Sequence, residues 1–209
     1  MKKIVLVLLL LVLSLALITS CGEKDREYDE DEVREAALSL IESSKDINLV
    51  FFGTGIRWDS DNTSFINGAY YPADVLHLNS LGFTTIEELK EKTRAVYTDA
   101  ICSIIFETKL SSLEDSGYVL DLARYYENSD GHIMVYKDAR PMYENGIEYL
   151  YDTLKVVGSK GELVYVEIDI LLTNAEGEKQ TITASLALLE ENDGFRLDTY
   201  SFAKFNENK

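Results

Sequence analysis

Residues 162–173 read Glu-Leu-Val-Tyr-Val-Glu-Ile-Asp-Ile-Leu-Leu-Thr, with Val164, Val166, Ile168, Ile170 and Leu172 at every second position. A strand sends successive side chains to opposite faces, so this spacing collects five aliphatic residues on one face and leaves Tyr165, Glu167 and Asp169 on the other. The pattern recurs at once in Ile182, Ala184, Leu186 and Leu188, and Asn192-Asp193-Gly194 supplies turn chemistry into a further extended run over 195–202. Residues 147–157 precede this pair and are joined to it through Gly158-Ser159-Lys160-Gly161. Their apolar residues do not alternate cleanly, so a strand is expected there with a helix still open. Late in the chain the sequence therefore predicts an antiparallel meander with one face turned to a core.

Upstream the period changes. Residues 118–126 and 133–136 flank Asn128-Ser129-Asp130-Gly131, a hairpin signal. Before them, Thr85-Ile86-Glu87-Glu88 is a capping box, and Ile86, Leu89, Val96, Tyr97, Ala100, Ile101, Ile104 and Ile105 follow at helical spacing. Thr98 is placed to cap a second segment if that run breaks. Cys102 lies in the apolar stripe with no basic neighbour to lower its pKa, and reads as a small buried hydrophobe rather than a nucleophile. A first helix is expected over 30–44, where Val33, Ala36, Ala37, Leu40 and Ile41 recur at three and four behind a run of acids. Residues 49–52 and 70–78 read as extended, the latter at an edge because of Pro72. The expected fold is α+β, with N-terminal helices packed on a curved, mostly antiparallel β-sheet in a single domain over 33–209.

The N-terminal segment 1–21 carries Lys2 and Lys3, an apolar run too short for the roughly 20 residues of a bilayer-spanning helix, and a close in Ile18-Thr19-Ser20-Cys21. This is a secretory signal. Its last four residues resemble the lipobox of bacterial lipoproteins, which implies a diacylglycerol thioether on Cys21 and an extracytoplasmic, membrane-anchored protein. Residues 22–32 read as a charged tether. Without the first 21 residues the chain has 18 basic against 37 acidic residues, a net charge of −19. That excess of acid argues against nucleic acid and against peripheral binding to anionic lipid, and leaves the lipid as the membrane contact. A basic or cell-wall-associated partner suits it, as does the plain need for solubility.

Residues 54–68 form the most irregular stretch and contain the only tryptophan, Trp58. Loops of this length in compact domains commonly carry function, and Trp58, Asp59 and Asp61 are the candidate partner-binding residues. Asp59, Asp61 and Asn62 also sketch a calcium loop, but its sixth position is Ser64 rather than Gly and its twelfth Tyr70 rather than Glu. His77 and His132 lack further ligands at suitable spacing. No nucleophile turn or phosphate loop occurs, and Glu167 with Asp169 reads better as a solvated sheet face than as an acid–base pair. The sequence thus calls for no catalytic residue, no metal and no cofactor. Recognition remains, and thirteen tyrosines besides Trp58, Tyr143, Tyr149 and Tyr151 among them, could serve either an interface or the core.

The order of elements adds a resemblance. Tyr70-Tyr71, then Gly82-Phe83-Thr84-Thr85-Ile86-Glu87-Glu88-Leu89-Lys90, Tyr97-Thr98, Tyr125-Tyr126, Asp130-Gly131 and the final meander resemble the secreted IseA family of inhibitors of cell-wall DL-endopeptidases. The similarity runs from about residue 70 to 202. It implies a protein without catalytic activity that binds an NlpC/P60-type peptidoglycan hydrolase and blocks its cleft; residues 54–68 are the candidate inhibitory loop on their length and composition. The alternative is an NTF2-like lipoprotein holding a small apolar ligand between the helix over 85–110 and the sheet.

Overall fold

The computed structural model describes residues 27–61, 69–111, 123–141, 146–174 and 176–202. The signal segment with Cys21, most of the tether, Asn62, Tyr118 and Tyr143 lie outside them. Four helices and eight strands follow in the order α1 (Glu30–Phe51), β1 (Tyr70–Pro72), α2 (Val75–Leu81), α3 (Ile86–Arg94), α4 (Asp99–Lys109), β2 (Leu110–Ser111), β3 (Tyr125–Glu127), β4 (Ile133–Tyr136), β5 (Ile147–Lys160), β6 (Leu163–Thr173), β7 (Lys179–Glu191) and β8 (Gly194–Leu197). The α+β class holds. The strands divide, however, into two four-stranded sheets where one had been expected: a small sheet in the order β1-β4-β3-β2 and the meander β5-β6-β7-β8. Every pair is antiparallel except β2 with β3.

In β6 burial alternates without a break, and Val164, Val166, Ile168, Ile170 and Leu172 are all buried. Its register on β7 sets Ile168 opposite Ala184 and Val166 opposite Leu186, so the two apolar faces coincide. Helix α1 lies across this face against β5, β6 and β8. Asp29 caps it, accepting from Asp31 N at 2.9 Å and Glu32 N at 3.3 Å, so the last acids of the expected tether form its first turn.

Three boundaries depart from the sequence reading. Helix α1 runs on to Phe51 instead of stopping at Ser44, because Ile47, Val50 and Phe51 continue its buried stripe where an extended segment was expected. Residues 70–78 are extended only through β1, after which Asp74 caps α2 through Leu76 N at 2.9 Å. The long helix breaks at Thr98 as its sequence allowed, though not through a side-chain cap. Thr98 Oγ1 donates instead to Asp198 at 2.8 Å, while Thr98 N donates to Leu197 O and Leu197 N to Val96 O. The break exists because its backbone pairs with β8.

Strand β5 explains its own ambiguity. Its register on β6 shifts between Leu150 and Lys155 and again between Val156 and Gly158. The first bulge lets Tyr149 and Leu154, five positions apart, both turn inward. Thr153 Oγ1 fills the gap in the ladder by accepting from Asp169 N at 2.8 Å.

One core spans both sheets. Tyr125, Ile133 and Val135 of the small sheet join Phe51, Leu89, Ile105, Val166 and Leu186 in it. A second, smaller cluster holds Tyr70, Tyr126 and Met134.

Candidate functional site

The segment after α1 is threaded through a frame of backbone bonds. Gly55 N donates to Leu49 O at 2.9 Å, and Ile56 N to the phenol oxygen of Tyr125 at 3.0 Å; that phenol donates in turn to Val50 O at 2.7 Å. Beyond it, residues 57–59 lie beside β1 and the start of α2. Asp59 N donates to Pro72 O, Asp74 N donates to Arg57 O, and Trp58 bridges Ala73 in antiparallel fashion. Arg57 N donates to His77 Nδ1 at 2.9 Å, and the Arg57 guanidinium stands 3.5 Å from Asp74. Burial, then the Arg57 charge, hold the His77 pKa below its usual value, against a smaller upward pull from Asp74.

This frame presents Trp58. The residue is 41 % exposed, and its ring lies 4.7 Å from that of Tyr71, tilted by 36°. Tryptophan is the largest apolar side chain, and a hydrogen-bonded edge that holds it partly out of the core presents an aromatic surface with a polar handle. Beside it opens a cleft of about 270 Å³ whose wall includes Thr54, Arg57, Trp58, Arg124, Tyr136 and Lys137. Three of these carry positive charge in a chain of net charge −17. Arg57 and Lys137 are exposed at the rim. Arg124 is only 6 % exposed.

Arg124 is held by the end of α1. It donates from Nη1 to Phe51 O at 3.1 Å, a carbonyl that the helix terminus leaves without an intrahelical partner, and from Nη2 to Gly53 O at 2.6 Å just beyond the helix. The helix has no basic residue in its own last turn, so Arg124 supplies the cation that its dipole favours there. Its guanidinium also lies 5.8 Å from the Tyr125 ring centre. Among the described residues no carboxylate pairs with it. Sequence reasoning passed over Arg124, Arg57 and Lys137. Their one signal was that they are cations amid an excess of acid.

The other sequence candidates fall as follows. Asp59 and Asp61 adjoin Trp58, and Asp59 Oδ1 accepts from Asp61 N at 3.0 Å in a local turn. Neither lines the cleft with Trp58. Glu167 pairs across the strands with Lys155 at 2.9 Å, and Asp169 accepts from Thr183 Oγ1 at 2.6 Å. Each carboxylate therefore has its own cross-strand neighbour, as on any half-solvated sheet face. Cys102 is buried, its Sγ 3.4 Å from Tyr97 O, and burial pushes its thiol pKa up to about 11. Tyr149 is buried and stacks on Tyr151 at 6.1 Å, with Lys45 over both rings. Among the described residues no group of three His, Cys, Asp or Glu is placed to hold a metal ion, and no helix is long and apolar enough to cross a membrane. No family model, curated protein or solved structure matches this chain.

Proposed function

We propose that this chain is an extracytoplasmic binding protein, tethered to the membrane through a lipid on Cys21, that inhibits or modulates a peptidoglycan DL-endopeptidase by covering its active site. The observation that carries the binding role is the half-exposed Trp58, tilted against Tyr71 and fixed by the backbone bonds of residues 57–59. A rigid aromatic anchor loses little conformational freedom on binding, which is why such residues dominate interface energies. Asp59 and Asp61 set negative charge beside the anchor, and the acidic chain as a whole suits a basic partner. The choice of hydrolase follows the resemblance to the IseA family.

The apolar-ligand alternative requires a pocket between α3, α4 and the large sheet. Leu89, Val96, Tyr97 and Ile105 from that side and Val166, Ile168, Leu186 and Leu188 from the sheet are all buried in one cluster, which gives that reading no support.

The test is direct. Domain beginning at Gly22 should slow digestion of peptidoglycan by an NlpC/P60-type hydrolase from the same cell. Trp58→Ala should raise the inhibition constant by roughly thirtyfold, the loss of about 2 kcal/mol typical of a central aromatic anchor. Undiminished digestion by every such hydrolase would overturn the proposal.

A further inference from the structure

We propose that the cleft beside Trp58 is an oxyanion site, taking the carboxylate or phosphate group of a small organic ligand through Arg124 and Lys137, with Arg57 at its rim. Arg124 is the built part of this site. A guanidinium taken out of water must have its charge answered, and here two backbone carbonyls and one aromatic ring do so without a carboxylate. Those carbonyls and the neighbouring Tyr125 phenol engage three of its five N–H donors, and the side chain still forms part of the cleft wall. A guanidinium fixed in this way has its position and its desolvation already set by the fold, which lowers the cost of taking an oxyanion on a remaining donor.

The surrounding charges agree. Lys137 extends at the rim, and among the described residues its ammonium has no ion-pair partner. Arg57 is shared with Asp74 at 3.5 Å, but its side chain is 67 % exposed, so the pair is loose. Asp59 and Asp138, next to the lining in sequence, and Asp74, which pairs with Arg57, are not part of the wall. Among the described residues the wall of the cleft therefore carries three cations and no carboxylate, which favours an anion over a cation there, offset in part by Asp74 at Arg57 and by Asp59 and Asp138 beside the lining in sequence. The volume, about 270 Å³, is just under the roughly 300 Å³ at which drug-sized pockets begin, and fits a group of amino-acid size lying against the Trp58 ring. Because Arg124, Gly53 and Phe51 belong to the folded core, the site stands whether or not the protein acts on a hydrolase.

Trp58 is the only tryptophan in the chain, so its fluorescence reports on this cleft alone. The probes are N-acetylalanine, inorganic phosphate and the neutral N-acetylalaninamide, titrated into domain beginning at Gly22 at low salt. A saturable change in emission with N-acetylalanine identifies a carboxylate site, with phosphate a phosphate site, and with both a general oxyanion site. In each case Lys137→Glu should raise the apparent Kd about tenfold or more, Arg57→Gln should raise it less, and added salt should weaken binding. Lys137 is exposed, so its variant should melt as the wild type does, which separates lost binding from lost folding. The proposal is overturned if neither anion gives a saturable change, if the neutral amide gives the same one, or if Lys137→Glu binds unchanged.

Discussion

Gly55 shows how closely the site is bound to the backbone beneath it. Its φ of +83° is a conformation that side chains disfavour, and a Cβ there would fall 2.4 Å from Arg124 Nη2 and 2.6 Å from the Tyr125 hydroxyl. Both neighbours are buried and hydrogen-bonded, so neither can withdraw. Gly55→Ala should cost about 2–5 kcal/mol of stability, measured as a lowered urea midpoint, by strain and clash together. Cys102 gives a second expectation. With its thiol pushed up to about 11 and buried, it should resist a thiol reagent at pH 8 in the native protein and react fully once unfolded. His77 gives a third. Its folded-state pKa is depressed below the unfolded value of about 6.5, so its neutral form is the one the fold prefers, and the stability this contributes is present above that pH and lost as pH falls below it. Protonation also puts a hydrogen on Nδ1, the acceptor of the Arg57 N–H. The emission of neighbouring Trp58 should shift between pH 7 and 5 in the wild type, and the shift should shrink in His77→Gln.

At the scale of elements, chemistry that is local was legible and chemistry that arrives from elsewhere was not. The capping box is present in full, with Thr85 Oγ1 accepting from Glu88 N and Glu88 accepting from Thr85 N, and both partners lie within four residues. Strand β6 was equally plain, because a period of two with one apolar face has a single folded solution. Helix α1 was read seven residues short, since Ile47 to Phe52 includes residues equally at home in a strand. What extends it is the burial of Ile47, Val50 and Phe51, and Arg124, 73 positions away, then caps its last carbonyl. Strand β5 failed to alternate because of a bulge that only its pairing with β6 reveals. Thr153 carries that bulge, and Thr153→Val, which keeps the shape and removes the acceptor for Asp169 N, should lower stability by about 0.5–1.5 kcal/mol with no change in the denaturant slope.

At the scale of the whole molecule, a buried polar cluster ties together parts of the chain that are far apart in sequence. Tyr97 donates to Asn48 Oδ1 at 2.7 Å, Asn48 Nδ2 donates to Ser201 Oγ at 2.8 Å, and the Ser44 and Ser201 hydroxyls lie 2.6 Å apart. Ser44, Asn48 and Ser201 are at most 1 % exposed. The cluster joins the middle of α1, the break between α3 and α4, and the segment after β8. Burial outweighs these hydrogen bonds on the Tyr97 phenol and pushes its pKa up to about 12, so it stays a neutral donor throughout the ordinary pH range. Asn48→Ala leaves Tyr97 and Ser201 short of partners in a place water does not reach, and should cost about 1–3 kcal/mol of unfolding free energy. The same cluster closes the apolar core on the side where the C-terminal segment crosses α1.

By itself the sequence determined the α+β class, the meander and its inward face, the capping box at Thr85 and the burial of Cys102, because each follows from a period or from partners a few residues apart. The tertiary structure alone decided the division into two sheets, the break before α4, the full length of α1 and the cationic cleft beside Trp58. Those features depend on contacts such as Arg124 with Phe51 and Leu197 with Val96, made between residues some 70 to 100 positions apart. No local spacing encodes such a pairing; it emerges only when the apolar faces have been packed together.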